Sequence, residues 1–199
     1  MQSFLPLMMR RFLAALAALL IGVPALAQTE ASNSQGVRLE RSIDGRALVV
    51  SADVEPPRSA RLEEAVSRGV TLHFVLEFEL LRPRWYWWDQ RVAQQSAPLR
   101  LSHHALAREF RIVREDGKAL TFDSLDAALG ALAQVRNWRI EFAEPPPGGE
   151  YVAQLRLRLD TGQLPRPFQV DALTNREWNP QVEWTRSSLT LPSTPKSAP

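Results

Sequence analysis

The chain has 199 residues, with no cysteine, 15 prolines, 9 glycines and 6 tryptophans. Its 23% charged and 45% hydrophobic residues form a globular balance that excludes collagen-like, coiled-coil and wholly disordered chains. The 24 Lys+Arg against 22 Asp+Glu give a formal charge of +2, and Arg10 and Arg11 alone supply that excess, so the remainder is neutral and does not read as a nucleic-acid binder.

Residues 1–27 read as a secretory signal peptide. Arg10 and Arg11 form a positive start, an apolar run follows from Phe12, and Pro24 precedes Ala25-Leu26-Ala27, a small-x-small cleavage site. Met8 and Met9 are alternative starts to Met1. The run from Phe12 to Val23 is shorter than the roughly 20 apolar residues of a spanning helix, so cleavage after Ala27 and release into the periplasm, with no stable membrane anchor, is expected. A cysteine-free chain in that oxidising compartment has to rely on a packed core. Residues 28–36 read as a disordered polar linker, 37–188 as a single β-rich domain, and 189–199 as a disordered Pro/Ser-rich tail.

Within 37–188 strand patterns dominate. Val37, Leu39 and Ile43 lead to Asp44-Gly45, a hairpin signal, and then to Leu48–Val54. From Val70, the apolar residues Leu72, Phe74, Leu76, Phe78 and Leu80 alternate with Thr71, His73, Val75, Glu77 and Glu79, which assigns the first set to the core and the second outward. Further strands are expected at 84–92, 98–104, 107–114, 138–143, 151–160 and 181–188. Ser59 caps a helix over 60–68, with Leu62, Ala65 and Val66 on one stripe and Gly69 as its stop. Asp123 is assigned as the cap of a second helix over 124–135, with Leu125, Ala128, Leu129 and Leu132 at helical spacing. The fold class is mainly β (α+β): an immunoglobulin-like antiparallel β-sandwich with two amphipathic helices.

Arg82-Pro83-Arg84-Trp85-Tyr86-Trp87-Trp88-Asp89 is the densest feature of the chain. Read as a strand, it places Trp85 and Trp87 on one face and Tyr86 and Trp88 on the other. One reading puts a pair of these rings in the core, which large aromatics favour on average. The other makes the segment a partner-binding surface, since Trp, Tyr and Arg are the usual interface anchors. A sugar platform and a membrane-interface role are weighed below these. A second candidate is the loop carrying Asn175, Arg176, Glu177, Trp178 and Asn179, either as a partner loop or as an ordered structural loop in which Trp178 plugs the end of the sandwich.

Catalytic signals are weak. His73, His103 and His104 do not make a chelate, and zinc needs three or four converging ligands, so neither a metal nor another cofactor is expected. No nucleophile elbow or phosphate loop occurs. Glu77 and Glu79 share a strand face at about 6–7 Å, a glycosidase-like spacing that outward carboxylates adopt commonly.

Phe74–Trp87, Leu101–Leu106, Leu159–Val170 and Leu173–Asn179 together resemble domain-of-unknown-function family 4390, exported proteobacterial proteins, over roughly Leu48 to Trp184. The resemblance implies export and a single domain and brings no enzyme activity. Neighbourhood of similar genes to a sensor kinase of the nitrogen-regulation type implies a periplasmic accessory to two-component signalling. The function expected is therefore a non-enzymatic binding module at the cell envelope, with a membrane protein such as a sensor kinase as partner. The rivals are an enzyme acting on envelope glycans or peptides and a small-molecule-binding protein.

Overall fold

A computed structural model of the protein describes residues 37–41, 46–86, 88–178 and 180–192. All of these fall in one compact unit. The expected signal peptide, the linker, the Asp44-Gly45 turn, Trp87 and Asn179 lie outside the described residues.

Among the described residues, nine strands form two antiparallel sheets. β1 (Val37–Arg41), β2 (Ala47–Asp53) and β7 (Gln134–Glu141) make the small one, in the order β1-β2-β7. The large one has the order β6-β5-β4-β3-β8-β9. Its strands are β3 (Leu72–Arg82), β4 (Gln90–His104), β5 (Glu109–Arg114), β6 (Ala119–Phe122), β8 (Gly149–Leu159) and β9 (Thr185–Leu191). The mainly β reading therefore holds. β3 to β6 form a four-strand meander, and this strand order does not establish the Greek-key connectivity of an immunoglobulin-like sandwich.

Alternation decides the central strands. Leu72, Phe74, Leu76, Phe78 and Leu80 of β3 are buried, as are Leu155, Leu157 and Leu159 of the neighbouring β8. Each such side chain is worth roughly 1.5–3 kcal/mol on removal from water. Leu48, Val50 and Ile140 of the small sheet join the same core, and Trp138 meets Phe78 edge-on at 6.2 Å between ring centroids.

The helices close this core. α1 (Ala60–Ser67) buries Leu62, Ala65 and Val66, and its cap Ser59 accepts the Leu62 N–H at 3.2 Å. Gly69 then turns the chain at φ 88°, a conformation that suits glycine. α2 (Leu125–Ala133) buries Ala128, Leu129 and Leu132. Its cap is Ser124 rather than the expected Asp123: the Ser124 hydroxyl accepts the Ala127 N–H at 3.2 Å.

Three further expectations are corrected, and one strand is added. Residues 84–92 and 98–104 do not form two strands, because the chain turns at 83–89 and β4 is continuous from Gln90. A third helix, α3 (Arg166–Thr174), occupies what read as a turn-rich crossover, with Pro167 near its start, where no backbone N–H is needed. β6 was not foreseen. β9 pairs with β8 up to Leu191, which is buried, so the ladder passes residue 188.

Candidate functional site

β3 and β4 pair from Leu72↔Leu101 to Arg82↔Gln90, with one register shift between Leu80 and Leu81. The aromatic segment is the tip of this long hairpin. Pro83 carries no N–H to continue the ladder, and Arg84 donates across the turn to the Gln90 side chain. Trp85 is 95% exposed, Trp88 83% and Tyr86 63%. Trp85 and Tyr86 meet edge-on at 5.2 Å. Arg82 and Arg84 are exposed beside them. The reading that places a pair of these rings in the core is thus overturned for the three described rings. β-Propensity of Trp and Tyr had argued for a strand here, but a strand at this point would leave β3 and β4 without a connection.

The second cluster behaves differently. Trp178 is 0% exposed. Its Nε1 donates to Asp171 Oδ2 at 2.7 Å, Phe168 lies 5.4 Å from its ring, and the Arg61 guanidinium sits 5.9 Å from it. Arg61 also donates to Asp171 at 2.8 Å. The bonds from Trp178 and Arg61, helped by the Arg61 charge, hold the Asp171 carboxyl below its ordinary value against a smaller opposing effect of burial. Trp178 is therefore a plug, with no surface to offer a partner. Asn175 accepts the Glu177 N–H at 2.9 Å in an Asx turn, and Arg176 is exposed.

These two clusters are not brought together. Trp178 anchors to α1, which leads into the Leu72 end of β3, and the aromatic tip lies beyond Arg82. An eleven-residue strand separates them by roughly 33 Å.

Glu77 and Glu79, expected to face outward, are largely covered, Glu79 being buried, and both are taken up by cross-strand pairing. Glu77 accepts from Arg156 and Arg158 at 2.7 Å each. Burial pushes its carboxyl up, but the two arginine bonds and charges outweigh burial, so Glu77 titrates below its ordinary value. Glu79 accepts from Gln154 at 2.7 Å and faces Arg91 at 3.2 Å. Gln154 in turn accepts from Arg186 at 3.1 Å. Trp184 lies under the Arg156 guanidinium at 4.2 Å. The result is an ionic ladder over four strands, in which Glu77 and Glu79 serve as acceptors.

His103 and His104 point to opposite sides of β4, as expected. His103 stacks on Phe110 at 4.6 Å with its Nδ1 3.2 Å from the Ser67 carbonyl, and His104 is exposed. No group of three or more metal-ligating side chains converges among the described residues.

One feature escaped the sequence reading entirely. A cleft of about 600 Å³ opens between the free edge of β7 and the β4–β5–β6 meander, a volume within the range of ligand pockets. Its lining includes Leu76, Leu99, Ile112, Leu132, Val135 and Trp138, with Arg114, Lys118, Arg136 and Arg139. Asn137, also in the lining, has φ 52°, where β2 and β7 shift register between Val50 and Ala52.

Family comparison bears on all of these surfaces. The family described as a domain of unknown function (DUF4390) matches residues 31–188. The chain belongs to that family. No curated protein and no solved structure shows significant similarity to it. The matched span of the DUF4390 domain holds the hairpin tip, the Trp178 plug and the cleft, and it ends inside β9. Among the described residues of this DUF4390 chain, no helix is long and apolar enough to cross a membrane.

Proposed function

We propose that the protein is an exported binding module of the cell envelope that contacts a partner protein through the β3–β4 hairpin tip. The observation that carries this reading is the exposure of Trp85, Tyr86 and Trp88 on one turn, next to Arg82 and Arg84. Exposed large rings in a cluster have a cost in water that a partner relieves, and Trp, Tyr and Arg dominate the energetics of protein contacts. The apparent signal at residues 1–27 supports export to the periplasm. The gene neighbourhood implied by family resemblance supports a membrane-embedded sensor kinase as the partner. The engagement of Glu77 by two arginines weighs against the rival in which the Glu77–Glu79 pair performs acid–base chemistry on a glycan.

The test is photo-crosslinking in the native cell. A photo-reactive phenylalanine analogue replaces Tyr86, and a control places it at Leu173, which is exposed near the other end of the large sheet. A discrete protein adduct from position 86, absent from 173 and lost when Trp85 and Trp88 are both alanine, supports the reading. Adducts to lipid alone make the tip a bilayer-interface anchor and overturn the protein-partner reading. Absence of any adduct overturns it as well. Fractionation of the same cells tests export: the chain is expected in the periplasmic fraction, shortened by its first 27 residues.

A further inference from the structure

The cleft beside β7 is remote in purpose from the hairpin tip and carries its own chemistry. Its cations are nearly all engaged. Lys118 pairs with Asp116 at 3.0 Å, Arg136 with Asp53 at 2.7 Å, and Arg139 with Glu141 at 3.2 Å. Arg114 differs: its Nε is shut off from solvent and has no hydrogen-bond partner among the described residues. Asp116 feels the Arg114 charge, but its carboxylate is bonded to Lys118. Because that Nε is closed to solvent, an anion entering the cleft meets the charge of the guanidinium rather than this N–H, and a carboxylate is the anion whose shape fits a guanidinium.

Glu115, Gln134 and Asn137 also line the wall, and an apolar strip of Leu76, Leu99, Ile112, Leu132, Val135 and Trp138 runs between these polar groups. An extended peptide is the other natural guest of a free β-edge. Here the edge is broken at Asn137, whose left-handed backbone marks a bulge that interrupts a regular ladder and protects an edge from strand addition. The occupant that suits the site is thus short and needs no backbone pairing.

We propose that this cleft binds an amphipathic monoanion, an aliphatic carboxylate whose head pairs with Arg114 and whose chain lies along the Leu76–Leu132–Trp138 lining. Arg114 supplies charge and direction, and the lining supplies affinity that grows with chain length. This site is independent of the hairpin tip, and its failure leaves the reading of the tip intact.

The experiment is calorimetric titration of the full chain with octanoate, decanoate and dodecanoate below their micelle concentrations, with decanol and acetate as controls. One-to-one saturable binding is expected, tightening about fourfold per methylene, the ratio that burial of one methylene group implies. Arg114→Met is expected to weaken decanoate at least tenfold and leave decanol unchanged. Leu120→Glu, at a half-exposed cleft position of β6, places a negative charge there and is expected to weaken decanoate while leaving the fold intact, so the test survives if Arg114→Met does not fold. Any uptake by the apolar N-terminal run is common to all variants and cancels in the comparison. Absence of saturable decanoate binding, equal affinity in the wild type and both variants, or equal affinity for decanol and decanoate overturns the proposal.

Discussion

Trp178 is a buried anchor whereas Trp85 and Trp88 sit on an exposed tip, and substitution separates these three sharply. Trp178→Ala removes a ring that is 0% exposed, its bond to Asp171, and its contacts with Phe168 and Arg61. A tryptophan buries about 200–250 Å², which at roughly 25 cal/mol per Å² is about 5–6 kcal/mol as an upper bound. Measured aromatic-to-alanine losses in cores run about 3–5 kcal/mol, and we take that range. For a folded region near 150 residues, each kcal/mol moves Tm by about 2–4 °C, so the expected drop is about 6–20 °C. Trp85→Ala and Trp88→Ala touch exposed rings and are expected to stay within about 0.5 kcal/mol. Thermal and urea unfolding followed by circular dichroism measures all three, with Trp178→Phe as an intermediate case that keeps a ring and loses the bond to Asp171. A loss below about 1 kcal/mol for Trp178→Ala, or a loss at Trp85 or Trp88 matching it, would refute the burial argument.

Glu77→Gln weakens the bonds from Arg156 and Arg158 and is expected to cost about 1–3 kcal/mol after allowance for partial screening. Because the folded Glu77 titrates below its ordinary 4.5, its contribution is present above pH 4.5 and disappears as pH falls through the folded value. The wild-type and Glu77→Gln urea curves should therefore converge in acid, and a constant gap between them contradicts the clamp. His73 is held below its ordinary 6.5 by burial first and the Arg100 charge second, against Asp160. The unfolded chain then binds more protons below pH 6.5, so wild-type stability should begin to decline there, a decline that a His73→Asn chain should lack. Asn137→Ala is expected to cost about 1 kcal/mol at its left-handed position and Asn137→Gly to cost little; equal losses would show that the backbone angle is not what selects the residue. Ser59→Ala removes an acceptor for Leu62 N–H and a donor to the Glu177 carbonyl, and about 0.5–2 kcal/mol should go with it, read as a lowered urea midpoint.

Local pattern made much of this fold legible. β3 alternates strictly because one face is core, and α1 and α2 show their stripes because each buries one side. The hidden parts have physical reasons. The segment 83–89 carries strand-favouring rings, and only the pairing of β3 with β4 makes it a turn. In α3 no residue is buried, so helical spacing had no apolar stripe to reveal it. β6 is mostly exposed and offers little alternation. Trp178 was legible as a plug or a partner residue, and only the structure shows that Asp171, seven positions earlier, accepts its N–H. The cleft could not be read at all: Arg114 and Asn137 come to line it only through tertiary structure, and the single local signal was an asparagine, the residue most tolerant of left-handed backbone after glycine.

The hairpin also has mechanical meaning. β3 is bonded along most of its length to β4 on one side and β8 on the other. A partner tethered in a membrane and gripping Trp85 and Trp88 would pull along the strand axis, at right angles to the ladder bonds. Such a load falls on the β3–β8 bonds together, in shear, and does not peel them one at a time. A tug at the tip would reach the leucine and phenylalanine core through the whole length of β3, shared among many ladder bonds at once.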